Sequence, residues 1–211
     1  QFYIIDFGSV DIPYAELLQS LTDIIPHSIE YGKRRQLPDF INTIFQKLEK
    51  RLEHEDESLQ DKETVYLLIY GLQRARDLEQ DDGFSSKFSF DSLDDTPKPP
   101  DPGKQFNKIL REGPDFKIHT IVWCDTNTNL NRRLSRQTIR EFEMRVVCQM
   151  SKDDSMSLID SRAASKLGQY RALFYNEEEG NIEKFRPFAL PNEQWLRQIK
   201  EKWDLFAGDP K

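Results

Sequence analysis

The stretch that decides the fold runs from Glu63 to Leu78 and reads ETVYLLIYGLQRARDL. Its first part, Val65–Tyr70, is a run of apolar and mostly β-favouring residues, and the pattern stops at Gly71 and a basic segment. A short apolar run that ends at a turn signal is typical of a strand in the core of a sheet. The residues around Tyr70 matter most, because α/β sheets place their chemistry at the carboxyl ends of their strands.

Six apolar runs along the chain are predicted to be strands. The first four are almost continuously apolar, which predicts strands buried on both faces of a parallel sheet. The last two flank NEEEGN, where Gly180-Asn181 signals a hairpin, so they are predicted to form an antiparallel tail. The six predicted strands are Phe2–Phe7, Val65–Tyr70, Ile118–Cys124, Met144–Met150, Arg171–Tyr175 and Ile182–Phe185.

Helical patterns fill the gaps between these runs. The clearest one extends from Gln36 to Glu55 and repeats apolar residues at helical spacing, with Pro38 in its first turn. Strands that alternate with helices predict an α/β layered fold with right-handed crossovers. Further helices are predicted from Pro13, over Pro102–Glu112, after the capping residue Ser135 and from Asn192.

The 211 residues are predicted to form a single domain, since the sequence shows no internal repeat and no second hydrophobic core. The segment Glu79–Lys104 is rich in Asp, Ser, Pro and Gly, which predicts a long polar loop. Charged residues make up 32% of the chain, and the formal net charge is −7. This balance argues against a generally basic surface for nucleic acid, but screening over about 10 Å leaves room for a local basic loop.

The sequence offers few residues for metal or redox chemistry. Cys124 and Cys148 stand in apolar segments, so we expect buried, reduced thiols and a reducing, cytoplasmic location. The three histidines show no zinc-binding spacing. No apolar stretch approaches the roughly 18 residues of a membrane-spanning helix, and no signal peptide opens the chain. Because QFYIIDF already reads as a core strand, we expect further sequence upstream.

Four stretches carry a family resemblance. From Ile109 the chain reads ILREGPDFKIHTIVWCDTN and later EFEMRVVCQMSKDDSMSLIDSRAASKLGQYRALFY, and upstream it reads FYIIDF and IIPHSIEYG. In this order they resemble the carboxyl-terminal two-thirds of the motor domain of the FtsK/SpoIIIE family, which are ATP-driven DNA pumps of the RecA-like class. The resemblance covers nearly the whole chain, and it depends on the order and spacing of moderately specific pieces.

The resemblance assigns positions to individual residues. Ile118-His119 match the family's sensor strand, and Asp125 stands at the sensor position, where glutamine is usual. Arg145 matches the arginine that opens the next strand. The remaining matches are Asp6, Pro26-His27, Ser151, Asp154-Ser155 and Lys166-Leu167-Gly168.

Two departures from the family bear on activity. No G-x-x-x-x-G-K-[ST] loop occurs in the sequence, so nothing in it could cradle a triphosphate. Tyr70 and Gly71 stand at the positions of the metal-linked aspartate and the usual catalytic carboxylate. A phenol is neutral at pH 7 and cannot replace a carboxylate beside Mg²⁺. The resemblance therefore implies ATP and Mg²⁺ for the parent protein, and neither for this chain alone.

Asp125 and Arg145 are the candidate catalytic residues, and each has a structural alternative. Arg145 could lie near a neighbouring subunit's phosphates, as in ring ATPases. Asp125 could equally cap a loop through one of the two residues that follow it. His119, within its strand, is more often a satisfied core histidine. The structural partners expected for Arg145 are Glu141, Glu143 or a backbone carbonyl.

Arginines follow two of the predicted strands. In RecA-like rings these loops face the central channel, where arginines could contact DNA phosphates regardless of sequence. The alternative is a solvated face paired with acids, which the net charge favours. Lys33-Arg34-Arg35 is interpreted as a solvated turn. The candidate nucleic-acid-binding residues are Arg132, Arg133, Arg136, Arg74 and Arg76.

The resemblance implies part of an ATP-driven motor that translocates duplex DNA, or a secretion substrate, as a homo-oligomeric ring such as a hexamer. The alternative is a degenerate, non-catalytic motor domain that stacks on an active one and transmits or regulates. Tyr70 favours the alternative, whereas Arg145 and the basic stretch Arg132–Arg140 favour the motor. If the lost acid is replaced, Asp6 and Asp77 are the candidates.

The RecA-like strand order makes a further prediction. Phe2–Phe7 would lie at the sheet edge, with Val65–Tyr70 beside it and Ile118–Cys124 next. The slot before Met144–Met150 would be vacant, and the unpaired backbone groups on either side of it would cost about 1–3 kcal/mol each when buried. We expect an upstream segment to fill this slot in the native protein, and the two flanking strands to pair directly in an isolated fragment.

Overall fold

The structure is a computed structural model that describes residues 1–8, 17–54, 58–78 and 101–207. Several short 3₁₀ helices connect its main elements. The strands are β1 (Phe2–Asp6), β2 (Ile29–Gly32), β3 (Val65–Tyr70), β4 (Ile118–Trp123), β5 (Met144–Val147), β6 (Ala172–Asn176) and β7 (Asn181–Phe185). The α-helices are α1 (Leu17–Ser20), α2 (Leu37–Glu53), α3 (Pro102–Glu112), α4 (Asn127–Arg133), α5 (Arg136–Arg140), α6 (Lys152–Ile159) and α7 (Glu193–Ala207).

Two predicted features fall on residues outside the described ranges. The start of the helix predicted from Pro13 lies outside them, and so does most of the predicted polar loop Glu79–Lys104. The last residues of that segment, from Pro102, belong to α3. The side chain of Asp101 caps this helix by accepting hydrogen bonds from the N–H groups of the second and third residues after it.

The chain divides into two compact units. The first is formed by the described residues of Gln1–Thr138 and Arg197–Lys211, and the second by Ile139–Leu196. The single domain expected from the sequence stays a prediction. Every parallel strand belongs to the first unit, and every antiparallel strand belongs to the second.

The first unit is built on a four-stranded parallel sheet in the order β2-β1-β3-β4. The predicted neighbours β1, β3 and β4 are confirmed, but the prediction that the first strand lies at the edge is wrong. β2, which was not predicted, pairs along the outer side of β1. It is only four residues long, and its exposed Glu30 breaks the apolar run, so its pattern in the sequence is weak.

Helices α2 and α3 cover one face of this sheet. Buried apolar residues recur along both helices, and the Tyr3 ring of β1 contacts Phe40 of α2 at 5.4 Å. A buried Leu or Ile contributes about 1.5–3 kcal/mol, so this layer is the core of the unit. Its fully buried members include Ile5, Leu37, Ile41, Ile44, Leu67, Ile69, Phe106 and Ile109.

Within the described part of the chain, the opposite face of the sheet is buried at β1, where Ile4 is 2% exposed, but half-buried or exposed along β3 and β4. The prediction of strands buried on both faces therefore holds for β1 and is wrong for β3 and β4. Phe2, Tyr66 and His119 lie there in direct register, and their rings are 5.1 Å and 5.5 Å apart. His119 is thus partly buried and packs against an aromatic ring. This agrees in part with the prediction that it is a core histidine. Toward the carboxyl end the face opens, since Ile121 is 56% and Trp123 47% exposed.

The second unit contains the antiparallel sheet β5-β6-β7. The predicted hairpin between its last two strands is confirmed, with Gly180 at φ +62° in the turn. The prediction that Met144–Met150 extends the parallel sheet is wrong, because β5 ends at Val147 and pairs antiparallel with β6. The direct pairing of β5 with β4 that was expected for an isolated fragment is therefore wrong. β5 does not pair with β1 either. Ser151, one of the residues matched to the family, is the N-cap of α6, and its Oγ accepts the Asp154 N–H at 3.1 Å.

The cysteines differ from the prediction in one respect. Both thiols are free, but Cys148 is exposed and Cys124 is only half-buried. Among the residues that the structure describes, no cluster of three or more side chains could hold a metal ion. None of the described helices has both the length and the apolar character needed to cross a membrane.

Candidate functional site

The carboxyl ends of the parallel strands meet at one edge of the first unit, because parallel pairing aligns them. We call this the carboxyl edge. It consists of the segments that end β1 to β4, namely Asp6–Gly8, 33–36, 70–78 and 123–136. The edge brings together every site residue predicted from the sequence except Arg145, which lies in the second unit.

An aromatic pair ends the two neighbouring strands β3 and β4, and it includes Tyr70, the residue that the resemblance aligns with the metal-linked acid. Tyr70 is in register with Trp123, and their rings stack at a centroid distance of 4.8 Å and an interplanar angle of 24°. Sequence reasoning missed Trp123. No local signal marked it, because the sequence places the end of this strand at Cys124, and only the register of the two strands brings Tyr70 and Trp123 side by side.

Gly71, which the resemblance aligns with the catalytic carboxylate, has a backbone that disfavours any side chain. Its φ is +90°, in the left-handed region. A Cβ there would lie 3.1 Å from the Cβ of Phe7. The Gly71 N–H donates to the carbonyl of Trp123 at 3.2 Å, which fixes this conformation. The turn after β3 therefore favours glycine at this position.

Asp6 and Asp77, the candidate replacements for that acid, are both engaged. Asp6 is buried, and its two carboxylate oxygens accept the Gly8 N–H at 2.7 Å and the Tyr31 hydroxyl at 3.0 Å. Asp77 forms an exposed ion pair with Arg34 at 3.7 Å. The geometry favours a structural role for Asp6, as the group that shapes the turn after β1.

Asp125 lies at the start of α4 and is exposed. The side-chain amide of Asn129 donates to both of its oxygens, at 2.9 Å and 3.1 Å. Thr126 caps the helix by accepting the Asn129 N–H at 3.2 Å. Asp125 therefore caps the loop, as its structural alternative predicts. Its main partner is Asn129, one helical turn along the chain, and not one of the two residues that follow it. Burial raises the pKa of the adjacent Cys124 thiol.

Two of the predicted arginines hold the loops of the carboxyl edge together. Arg133 donates through Nε and Nη2 to the carbonyl of Gln73, at 3.0 Å and 2.9 Å, and this links α4 to the segment after β3. Arg74 donates through Nη1 to the carbonyls of Phe7 and Gly8, both at 2.7 Å. Burial lowers the pKa of Arg133, and the nearby charge of Arg76 lowers it further.

Other arginines of the edge point to solvent. Arg76, Arg132 and Arg136 are exposed, and within the described ranges they have no hydrogen-bond or ion-pair partner. The described parts of the segments that form the carboxyl edge hold eight cations and three acids. The acids are Asp6, Asp77 and Asp125, and the cations are Lys33, Arg34, Arg35, Arg74, Arg76, Arg132, Arg133 and Arg136.

Arg145 is largely buried inside the second unit, with 13% of its side chain exposed. Its Nη1 donates to the carbonyl of Leu158 at 3.0 Å, and its Nη2 pairs with the carboxylate of Glu177. The guanidinium also lies 5.7 Å from the ring centroid of Tyr175. This is the structural alternative, with Glu177 as the acidic partner in place of the two glutamates near it in sequence.

Comparison by sequence identifies no relative, since neither a family profile nor a curated protein matches the chain. Solved structures do match. The pCW3 conjugation coupling protein TcpA, in its monomer form with ATPγS, superposes with a TM-score of 0.63 at 13% identity, over 96% of this chain and 56% of TcpA. B204, the DNA-packaging ATPase of Sulfolobus turreted icosahedral virus, superposes with a TM-score of 0.54 at 13% identity, over 89% of this chain and 83% of B204.

A third structure, the genome packaging NTPase B204 of Sulfolobus turreted icosahedral virus 2 with AMPPCP, gives a TM-score of 0.50 at 14% identity. At this level of identity the likeness shows the fold alone. The predicted α/β fold, with a parallel sheet, helices and a short antiparallel sheet, is confirmed. The chain spans just over half the length of TcpA and most of the length of B204.

Proposed function

We propose that the chain is part of a DNA-translocating motor of the FtsK/SpoIIIE kind, and that its carboxyl edge contacts DNA phosphates. The observation that carries this proposal is the set of exposed arginines at the carboxyl edge, Arg76, Arg132 and Arg136, which have no acidic partner among the described residues. The fold adds support, because the similar structures are a DNA-packaging ATPase and a conjugation coupling protein.

The arginines of this edge have two different roles. Arg74 and Arg133 fix the loops through backbone carbonyls, so their contribution is to position the edge. Arg76, Arg132 and Arg136 have no acid to neutralise them among the described residues, and they are the groups that meet phosphate. Such contacts are independent of sequence and salt-dependent, which suits a motor that moves along any duplex.

ATP and Mg²⁺ serve the parent protein and are held outside this chain. Tyr70 and Gly71 supply no carboxylate for a metal-bound water, and the sequence has no phosphate-cradling loop. The parent works as a homo-oligomeric ring in the cytoplasm. In that ring the chain contributes the parallel sheet that carries the DNA-contacting loops.

A second candidate function is a non-catalytic module that stacks on an active motor domain. Two observations favour it. The acid position is filled by the Tyr70–Trp123 stack, and Arg145 is tied to Glu177 and Leu158 instead of being free for a neighbour. DNA contact at the carboxyl edge belongs to both functions. ATP hydrolysis by the parent separates them, because only the first function requires it.

The test is duplex binding by the full chain over a range of salt concentrations. The variant Arg76→Ala/Arg132→Ala/Arg136→Ala should bind all duplex sequences more weakly, with a salt slope flatter by roughly 0.9 per lost contact. The matched control Arg186→Ala/Lys200→Ala/Lys202→Ala removes three exposed cations elsewhere and should keep the wild-type slope. Equal slopes for the two variants would assign the edge arginines to the solvated surface.

A further inference from the structure

Trp123 is an exposed aromatic ring at the carboxyl edge. It is the last residue of β4, 47% exposed, and one of its ring faces is covered by Tyr70. Two residues earlier on the same side of the strand, Ile121 is 56% exposed. The stack therefore presents a flat, supported indole on the half-buried face of the sheet. The proposed phosphate contacts make no use of it.

Support from behind makes the indole a rigid platform. Tyr70 lies between Asp6 and Trp123 in the register of the three strands. The backbone after Tyr70 is held by the Gly71 N–H, which donates to the Trp123 carbonyl. A ring fixed in this way loses little conformational freedom when a second aromatic group stacks on it.

Charge at the edge selects the partner. The ligand of this surface must offer an aromatic face to Trp123 and negative charge to the arginines that follow β3 and β4. A single nucleic-acid strand carries both at short spacing, since every base has a π-face and every nucleotide a phosphate. A duplex offers only its backbone, because its bases are paired and stacked on one another.

We propose that the Tyr70–Trp123 stack is a base-stacking platform for single-stranded nucleic acid. The unpaired base lies on the exposed face of Trp123, and its neighbouring phosphates lie on the free arginines of the carboxyl edge. This goes beyond the proposed duplex translocation. It depends on that proposal for the phosphate contacts, and it requires the upstream strand expected beside β4 to leave the free face of Trp123 open. It gives the chain a preference for strand ends, gaps or unwound segments.

The test compares two labelled oligonucleotides of equal length and charge, oligo-dT and its abasic counterpart, bound to the full chain. Base stacking of the usual strength makes wild-type binding to oligo-dT about 5- to 150-fold tighter than binding to the abasic strand. Trp123→Leu should abolish this ratio, whereas Trp123→Phe should keep part of it. Trp195→Leu is the matched control, because Trp195 is 51% exposed and lies in the second unit.

A second measurement does not depend on the stability of the leucine variant. The chain has three tryptophans, so Trp195→Phe/Trp203→Phe leaves Trp123 as the only indole. Oligo-dT should quench its fluorescence, and the abasic strand should not. Equal affinity of the wild type for both strands, or a ratio unchanged in Trp123→Leu, overturns the platform. A Trp123→Leu variant that binds both strands as the wild type does, and changes only in self-association, also overturns the platform. That result would mark the surface as a protein–protein interface.

Failure of the platform and failure of the phosphate contacts are distinguishable. The abasic strand reports only phosphate binding, so the triple arginine variant weakens it whether or not the platform exists. A wild type that binds the abasic strand but shows no preference for oligo-dT would reject the platform and keep the proposed function. A wild type that binds neither strand would reject the proposed function as well.

Discussion

Replacing Arg145 with alanine decides whether this arginine holds the second unit together or serves a neighbouring subunit. The side chain spans the unit, from the Leu158 carbonyl at the end of α6 to Glu177 after β6. It also lies over the ring of Tyr175. If these contacts are its role, the free energy of unfolding falls and no partner molecule is needed to see the effect.

The magnitude follows from the contacts. A hydrogen bond from a charged donor to a partly buried carbonyl contributes about 1.5–3 kcal/mol, and a cation–π contact about 0.5–1 kcal/mol. The pair with Glu177 adds at most about 1 kcal/mol, since the glutamate is 40% exposed and solvent screens it. The Arg145 Nε is buried without a partner in the described ranges, and its removal offsets part of this sum. We expect a net loss of about 1–3 kcal/mol.

Urea unfolding of the full chain, followed by circular dichroism, measures this loss. Arg171→Ala is the matched control, because Arg171 is exposed and contacts only the carbonyl of Tyr170 among described residues, so its midpoint should stay at the wild-type value. The urea midpoint of Arg145→Lys should lie between those of the wild type and Arg145→Ala, since an ammonium cannot bind both the Leu158 carbonyl and Glu177 at once. A wild-type unfolding curve for Arg145→Ala, together with reduced ATPase activity of the parent, would refute the structural role and restore the trans-acting one.

Three further predictions follow from the site and its surroundings. Gly71→Ala should destabilise the chain by about 1–2 kcal/mol in thermal unfolding, because a side chain at φ +90° is strained and meets Phe7, whereas Gly168→Ala, in open space, should be near neutral. Exposed Cys148 should be alkylated first near neutral pH, and Cys124 should lag until the pH rises through its raised pKa, because only the thiolate reacts; mass spectrometry after timed alkylation shows the order. The chain should show no saturable ATP binding at millimolar nucleotide, and a micromolar dissociation constant from calorimetry would contradict this.

The elements with strong periodic or punctuation signals were determined by the sequence itself. The stripe of α2 fixes its length and its buried face, and the proline and glycine around α3 fix both its ends. The apolar runs of β1, β3 and β4 predict three neighbouring parallel strands. These signals are local, so they can be read without knowing what packs against each element.

The cluster of arginines at one edge was also within reach of the sequence. The arginines after β3 and β4 follow predicted parallel strands, and topology then places them at one edge, whereas Arg34 and Arg35 follow β2, which was not predicted. What each arginine does was not within reach. Arg133 and Arg74 bind carbonyls more than 55 residues away in sequence, and no local pattern records such a partner.

Tertiary structure alone decided which strands share a sheet and which faces stay open. β5 has an apolar pattern like that of β4, yet it pairs antiparallel with β6, because pairing depends on distant partners and not on the strand's own residues. The short β2 becomes visible only as a neighbour of β1. Trp123 reads as a core residue in sequence, and only the register with Tyr70 makes it an exposed ring supported on one side, since stacking is a property of two strands together.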